Sequence, residues 1–194
     1  MQNVFKRLVA VTLVVGLISG VTAFAGDTRA PADLQVPEGP GLTTVATQST
    51  GKAGDLFAVD VYLSKFQDLG AYQVVLSATG GTSGSLVAEN VKVDRTRQDY
   101  VFKGSQVVEA LYKERNMRIG MVRQGGGIQV PEPRYAGTYY FRASSDAKGT
   151  FTINAKIGPA DSMATNSIAV DVPFTVGKAS TINIIETKRA RTDR

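Results

Sequence analysis

Leu56-Phe57-Ala58-Val59-Asp60-Val61-Tyr62-Leu63 is the stretch that decides the class of this chain. Phe57, Val59, Val61 and Leu63 alternate with Ala58, Asp60 and Tyr62. Successive side chains of an extended backbone point to opposite faces, so this alternation predicts a half-buried strand. Working outward, residues 42–48, 71–77 and, less cleanly, 86–93 carry the same signature. Towards the C-terminus so do 137–143, 168–172, 181–184 and 150–157, where Phe151, Ile153, Ala155 and Ile157 share a face. Turn residues separate these runs, as in Asp146-Ala147-Lys148-Gly149, and Gly80-Gly81-Thr82-Ser83-Gly84 is expected to be a flexible loop. Strands at a spacing of roughly ten residues, with no long helical period, predict an all-β antiparallel sandwich.

One region supports two readings. Val107, Val108, Leu111 and Tyr112 recur at helical spacing, and Glu109 with Lys113 would make a supporting pair one turn apart. The same residues, followed by Lys113-Glu114-Arg115-Asn116 and Met117-Arg118-Ile119-Gly120-Met121-Val122, also form a hairpin pattern. The hairpin is favoured because its surroundings are strand-like, and local and global preferences agree in natural sequences.

Composition narrows the chemistry. Of 194 residues, 43% are hydrophobic and 20% charged, which is the balance of a folded domain. Cys, His and Trp are absent. Disulfides, a thiolate nucleophile and Cys-based metal sites are therefore excluded, and the usual general base is missing. Two carboxylates suffice for glycosidase chemistry, but no two acids here sit in a motif that suggests it. The aspartates are scattered without calcium-loop spacing, and Gly125-Gly126-Gly127 lacks the following helix and Lys of a phosphate cradle. The chain is expected to be non-enzymatic, with no metal and no cofactor.

The two ends differ from the body. Lys6 and Arg7 precede an apolar run over residues 8–21, and Ala23-Phe24-Ala25 supplies the small residues a signal peptidase reads. That run is shorter than the roughly 20 residues a membrane-spanning helix needs, so stable membrane insertion is not expected. Residues 1–25 are predicted to be a cleaved signal, and the protein to be secreted or periplasmic. Pro31, Pro37 and Pro40 mark 26–41 as an extended leader, 42–185 form the domain, and 186–194 form a basic disordered tail. The net charge of +5 belongs to these ends. Residues 26–185 carry 16 basic and 15 acidic side chains, which gives no electrostatic footprint for nucleic acid.

Several of these stretches together resemble a bacterial cohesin-type domain. Gly54-Asp55-Leu56-Phe57-Ala58-Val59-Asp60-Val61, then Asp68-Leu69-Gly70-Ala71-Tyr72-Gln73-Val74-Val75-Leu76, are similar to its opening. Gly137-Thr138-Tyr139-Tyr140-Phe141-Arg142-Ala143 and the segment from Asp146 to Ile153 are similar to its later signature. The resemblance implies a jelly-roll sandwich of about nine strands that holds a protein partner, usually a dockerin, on one sheet face without chemistry. Carried over by position, that face includes Ala71, Gln73 and Arg123. The family's positions tend to be acidic or amide; Gln73 keeps the amide, whereas Arg123 carries the opposite charge.

Binding to an exported protein partner is thus the leading expectation. A carbohydrate- or cell-wall-binding module is the alternative, with Tyr62 and Tyr72 as the sugar platform in the absence of Trp. A structural envelope or matrix component, associating through strand edges, is the third. N-terminal sequencing of the exported protein should read Gly26-Asp27-Thr28; an intact Met1 on the exported form would refute the cleaved signal.

Overall fold

A computed structural model describes residues 30–112, 117–158 and 160–186. The expected signal, the start of the leader, residues 113–116 and the expected tail beyond Glu186 lie outside the described residues. The first half of the chain contributes β1 (Gly41–Ala46), β2 (Thr50–Gly51), β3 (Leu56–Ser64), β4 (Phe66–Leu69), β5 (Ala71–Val74), β6 (Leu76–Gly80) and β7 (Leu86–Lys92). The second half contributes β8 (Val107–Tyr112), β9 (Arg118–Arg123), β10 (Ile128–Val130), β11 (Arg134–Ala143), β12 (Gly149–Ala155), β13 (Met163–Thr165), β14 (Thr175–Val176) and β15 (Ser180–Ile184). The described residues hold no helix. β8 and β9 pair antiparallel from Val107↔Arg123 to Tyr112↔Arg118, so the hairpin reading of this region holds.

One layer has the order β14-β1-β3-β11-β7. The other is built from β13-β5-β9-β8 and β2-β15-β12-β6, which share the continuous run β5–β6. A short β10–β4 pair closes one end. Between the layers lie Phe57, Val59 and Val61 of β3, Tyr139 and Phe141 of β11, Tyr72 and Val74 of β5, Ile119 and Met121 of β9, and Phe151 and Ile153 of β12. These are the period-two positions of their strands, so burial of alternate apolar side chains is the force that stacks the sheets.

The described residues form 15 strands, not about nine. The excess arises because long extended runs are bent and change partners. Leu56–Gly80 is one run broken three times. At Lys65 the backbone turns left-handed, with φ 60°. At Gly70 a Cβ would run into the Asn166 carbonyl, so glycine permits the close approach. At Val75 the buried Ser162 hydroxyl replaces a ladder partner: it receives the Val75 N–H at 2.9 Å and donates to the Val75 carbonyl at 3.2 Å.

Two further expectations are corrected. Residues 80–84 are not a free loop, because Gly81 N–H donates to Thr150 O and Thr82 N–H to Lys148 O, each at 2.8 Å. Residues 168–172 are not a strand of the expected kind. Asn166 Oδ1 accepts from the N–H groups of Ile168 and Val170, Asn166 O accepts from Ala169, and Ala169 has φ 61°. The asparagine side chain competes for the backbone there and makes a tight turn. Only 170–172 return beside β13, with Val172 N–H donating to Ala164 O. Ahead of β1, the Leu34 N–H donates to Pro31 O at 3.1 Å to close a turn, and Leu34 packs against the core.

The described ends of the domain lie at opposite poles. β1 starts beside Ser64 and Thr175, whereas β15 finishes beside Gly51 and Gly149.

The outer side of β3 is covered by an excursion that sequence periodicity did not reveal. Arg97 reaches across it, with its NH1 2.9 Å from Asp60 and its Nε and NH2 each 2.9 Å from the two oxygens of Asp99. The guanidinium also donates to Tyr62 Oη at 3.1 Å and lies 3.9 Å from the Tyr135 ring centroid. Thr138 extends the network by donating to Asp60 at 2.6 Å. Arg97→Ala would leave two largely buried carboxylates without their cation, a loss of about 3–5 kcal/mol. The melting temperature should fall on the order of 10 °C; an unchanged melting curve would show that the network holds nothing.

The tyrosines give a pH signature. Tyr62, Tyr100 and Tyr135 are pushed up to about 12, chiefly by burial. Tyr72 is pushed well above the ordinary phenol value for the same reason. Because the fold favours the neutral phenol, this contribution is complete below the unfolded value near 10 and is lost as pH rises towards 12. Urea midpoints should therefore fall between pH 10 and pH 12 together with the appearance of phenolate absorbance. A midpoint that is flat through this range, or phenolate that forms without unfolding, would contradict the burial.

Candidate functional site

The sheet β13-β5-β9-β8 presents its outer face to solvent, and its register lays out the side chains in rows. Directly opposite residues share a face, and residues two apart on one strand return to it. The first row runs Asp171, Thr165, Ala71, Val122, Val108. The second runs Met163, Gln73, Gly120, Ala110. Their alternates Tyr72, Met121 and Ala164 point into the core.

Val108 and Val122 are 53% and 51% exposed and stand beside each other as an apolar ridge. Next to it, Ala110 and Gly120 leave a trough. The depression has a volume of about 230 Å³ and is lined by Ala71, Gln73, Val108, Val122 and Met163 among others. Asp171 is the only charged side chain in the two rows, at the outer rim. Arg118 follows in the next row, where its NH2 donates to Ala160 O at 2.8 Å and its NH1 to Gln73 Oε1 at 3.3 Å.

The structure brings two of the expected partner-binding residues together. Ala71 and Gln73 both lie on this outer face, in adjacent rows. The Gln73 amide donates to Asp161 O, so it helps hold the 156–162 connection against the sheet. One amide hydrogen and part of the carbonyl's accepting capacity stay free. Arg123 sits at the end of β9, and its guanidinium folds back onto the glycine loop. It donates to Ser105 Oγ at 2.9 Å, to Gly125 O at 3.0 Å and to Gly126 O. The guanidinium keeps its charge, but Arg123 alternates with Val122 along β9, so the sign mismatch noted in the sequence does not fall on the face itself.

The sugar platform does not stand. Tyr62 and Tyr72 are each 3% exposed. Tyr72 Oη donates to Ala136 O at 2.7 Å, and Tyr62 lies under Arg97 and against Tyr135. A ring must offer a free face to stack on a sugar, and neither does. Of the pair Tyr139-Tyr140, Tyr139 is fully buried and Tyr140 half-buried.

Among the described residues no group of three or more His, Cys, Asp or Glu side chains could hold a metal ion. A larger cleft of about 550 Å³ lies where the leader passes Gln98, Asp99, Glu132 and Arg134. The buried Asp99 in its wall is already paired with Arg97. The ridge residues Val108 and Val122 were not singled out from the sequence. The signal that could have found them is the alternation of β8 and β9 once the hairpin is chosen.

No family model and no curated protein matches the chain. Solved structures do. The third ScaB cohesin of R. flavefaciens, in complex with a group 1 dockerin, aligns with TM-score 0.55 at 14% identity, covering 78% of this chain and 99% of that one. The type II cohesin A11 of Bacteroides cellulosolvens aligns at 0.53 and 11% identity, covering 75% and 99%. The sixth cohesin of Acetivibrio cellulolyticus scaffoldin B, in complex with a mutant dockerin, aligns at 0.51 and 13% identity, covering 76% and 99%. The fold of this chain is the cohesin-type jelly-roll sandwich.

Proposed function

We propose that this protein is an exported, non-catalytic binding module that recognises a protein partner through the outer face of β13-β5-β9-β8. The observation that carries this reading is the pair of rows centred on Val122 and Gly120, to which β5, β9 and β8 contribute no charge. A half-exposed valine ridge beside a small-residue trough is a surface that gains by excluding water, and apolar side chains at the centre of an interface dominate its affinity. Two of the cohesin structures that share the fold are complexes with dockerins, which supports a protein as the ligand class. Ala71 lies between ridge and rim, Gln73 offers the row's one free amide hydrogen, and Arg123 keeps the adjoining glycine loop in place. The apolar run at residues 8–21 followed by Ala23-Phe24-Ala25 supports export. The larger cleft is lined by two acids, Asp99 and Glu132, but Asp99 is already paired with Arg97 rather than free to act beside Glu132.

Affinity selection from the native exported proteins tests this. Val122→Asp places a charge at the centre of the face and should weaken capture of the selected partner at least about tenfold. Val87→Asp, on the exposed side of β7 in the opposite layer, should leave capture unchanged. Equal capture by wild type and by Val122→Asp would remove this face from the reading.

A further inference from the structure

The two rows of the face fit one another. They are two residues apart on the same strands, so ridge and trough are offset by about 7 Å along the strand direction. Val108 and Val122 project in one row, while Ala110 and Gly120 recede in the next. Consider a two-fold axis lying in the plane of the face, across the strands, midway between the rows. It carries each ridge over the trough of the other copy, twice and equivalently, with β8 and β9 crossing their symmetry mates antiparallel. Such an isologous contact requires a surface complementary to itself, and this arrangement meets that requirement.

Three observations agree with it. Gly120 does not occupy the left-handed region, and a Cβ there would lie 3.3 Å from Ala110 O, tight but within reach of a small shift. The backbone therefore does not demand glycine, and the missing side chain serves to keep the trough open. β5, β9 and β8 contribute no charge to either row, so two copies meet there without like-charge repulsion. Of the charges that flank the rows, the exposed Glu109 alternates to the opposite side of β8, and the other two are engaged or peripheral. Arg118 is bonded to Gln73 and Ala160, and Asp171 sits at the rim.

From this geometry we infer that the partner seated on the face is a second copy of this chain, joined ridge-into-trough across a two-fold axis. The inference rests on the reading of the face as a docking surface and names its occupant. Four strands at about 4.8 Å spacing and two rows cover well under the ~800 Å² per partner of a standard stable complex, so the dimer is weak and concentration-dependent.

Sedimentation equilibrium of the purified protein tests it. The weight-average mass should rise with concentration from the monomer towards twice that value. Val122→Asp should shift the midpoint at least about tenfold to higher concentration, because it buries a charge at the centre of the contact. Gly120→Leu, which fills the trough from outside the core, should do the same, with circular dichroism and melting used to confirm that each variant is folded. Val87→Asp should associate like wild type. A constant monomer mass, or a dimer that Val122→Asp and Gly120→Leu leave intact, overturns the self-pairing. If the protein stays monomeric while Val122→Asp still abolishes capture of another exported protein, the second copy is refuted and the docking face survives. If neither association nor capture responds to Val122→Asp, both fall together.

Discussion

The two-layered form depends on how a single extended run, Leu56–Gly80, crosses from one layer to the other. A strand that continued straight from Leu56 would stay beside β1 and β11 and leave the second layer without its centre. The left-handed turn at Lys65, the close approach at Gly70 and the Ser162 hydroxyl at Val75 divide it into four segments with four different sets of neighbours. Ser162 matters most for the recognition face. By bonding both polar groups of Val75, it satisfies the backbone where β12 ends and β13 begins, and so lets one run serve two pairings. Without it the Val75 N–H would be orphaned in the middle of the second layer, while the Val75 carbonyl would keep only the Lys156 N–H at 3.1 Å.

Much of this was legible in the residues. The core positions of β3, β11, β12 and β15 follow from period-two burial, and the hairpin of β8 and β9 follows from its strand-like context. What the sequence concealed is long-range. Tyr62 occupies the outward side of an alternating strand, which is where a solvent-facing ring belongs. It is buried because Arg97, far along the chain, lies across it and pairs with Asp60 and Asp99. Ile168-Ala169-Val170 has strand composition, but the neighbouring Asn166 side chain captures its amides. Both are cases of tertiary or side-chain hydrogen bonds outweighing a local preference.

The face was partly legible for a related reason. Ala71 and Gln73 were found by position in a resembling family, and the register confirms only that they share one side of the sheet. The ridge of Val108 and Val122 needed the pairing of β8 with β9, since neither valine is distinctive alone. Arg123 shows the limit of carrying over a residue by position: its location is on the expected strand, but its guanidinium serves the glycine loop.

The placement of the first and last strands at opposite poles has a mechanical consequence. β1 and β15 run in the same sense, each joined along its length to antiparallel neighbours, β3 and β12. Tension applied at Gly41 and Ile184 therefore acts along the strand axes. It must shear several ladder bonds at once instead of unzipping them in sequence. A module loaded in this way resists pulling forces that would open a hairpin, and its flank stays accessible while it bears them.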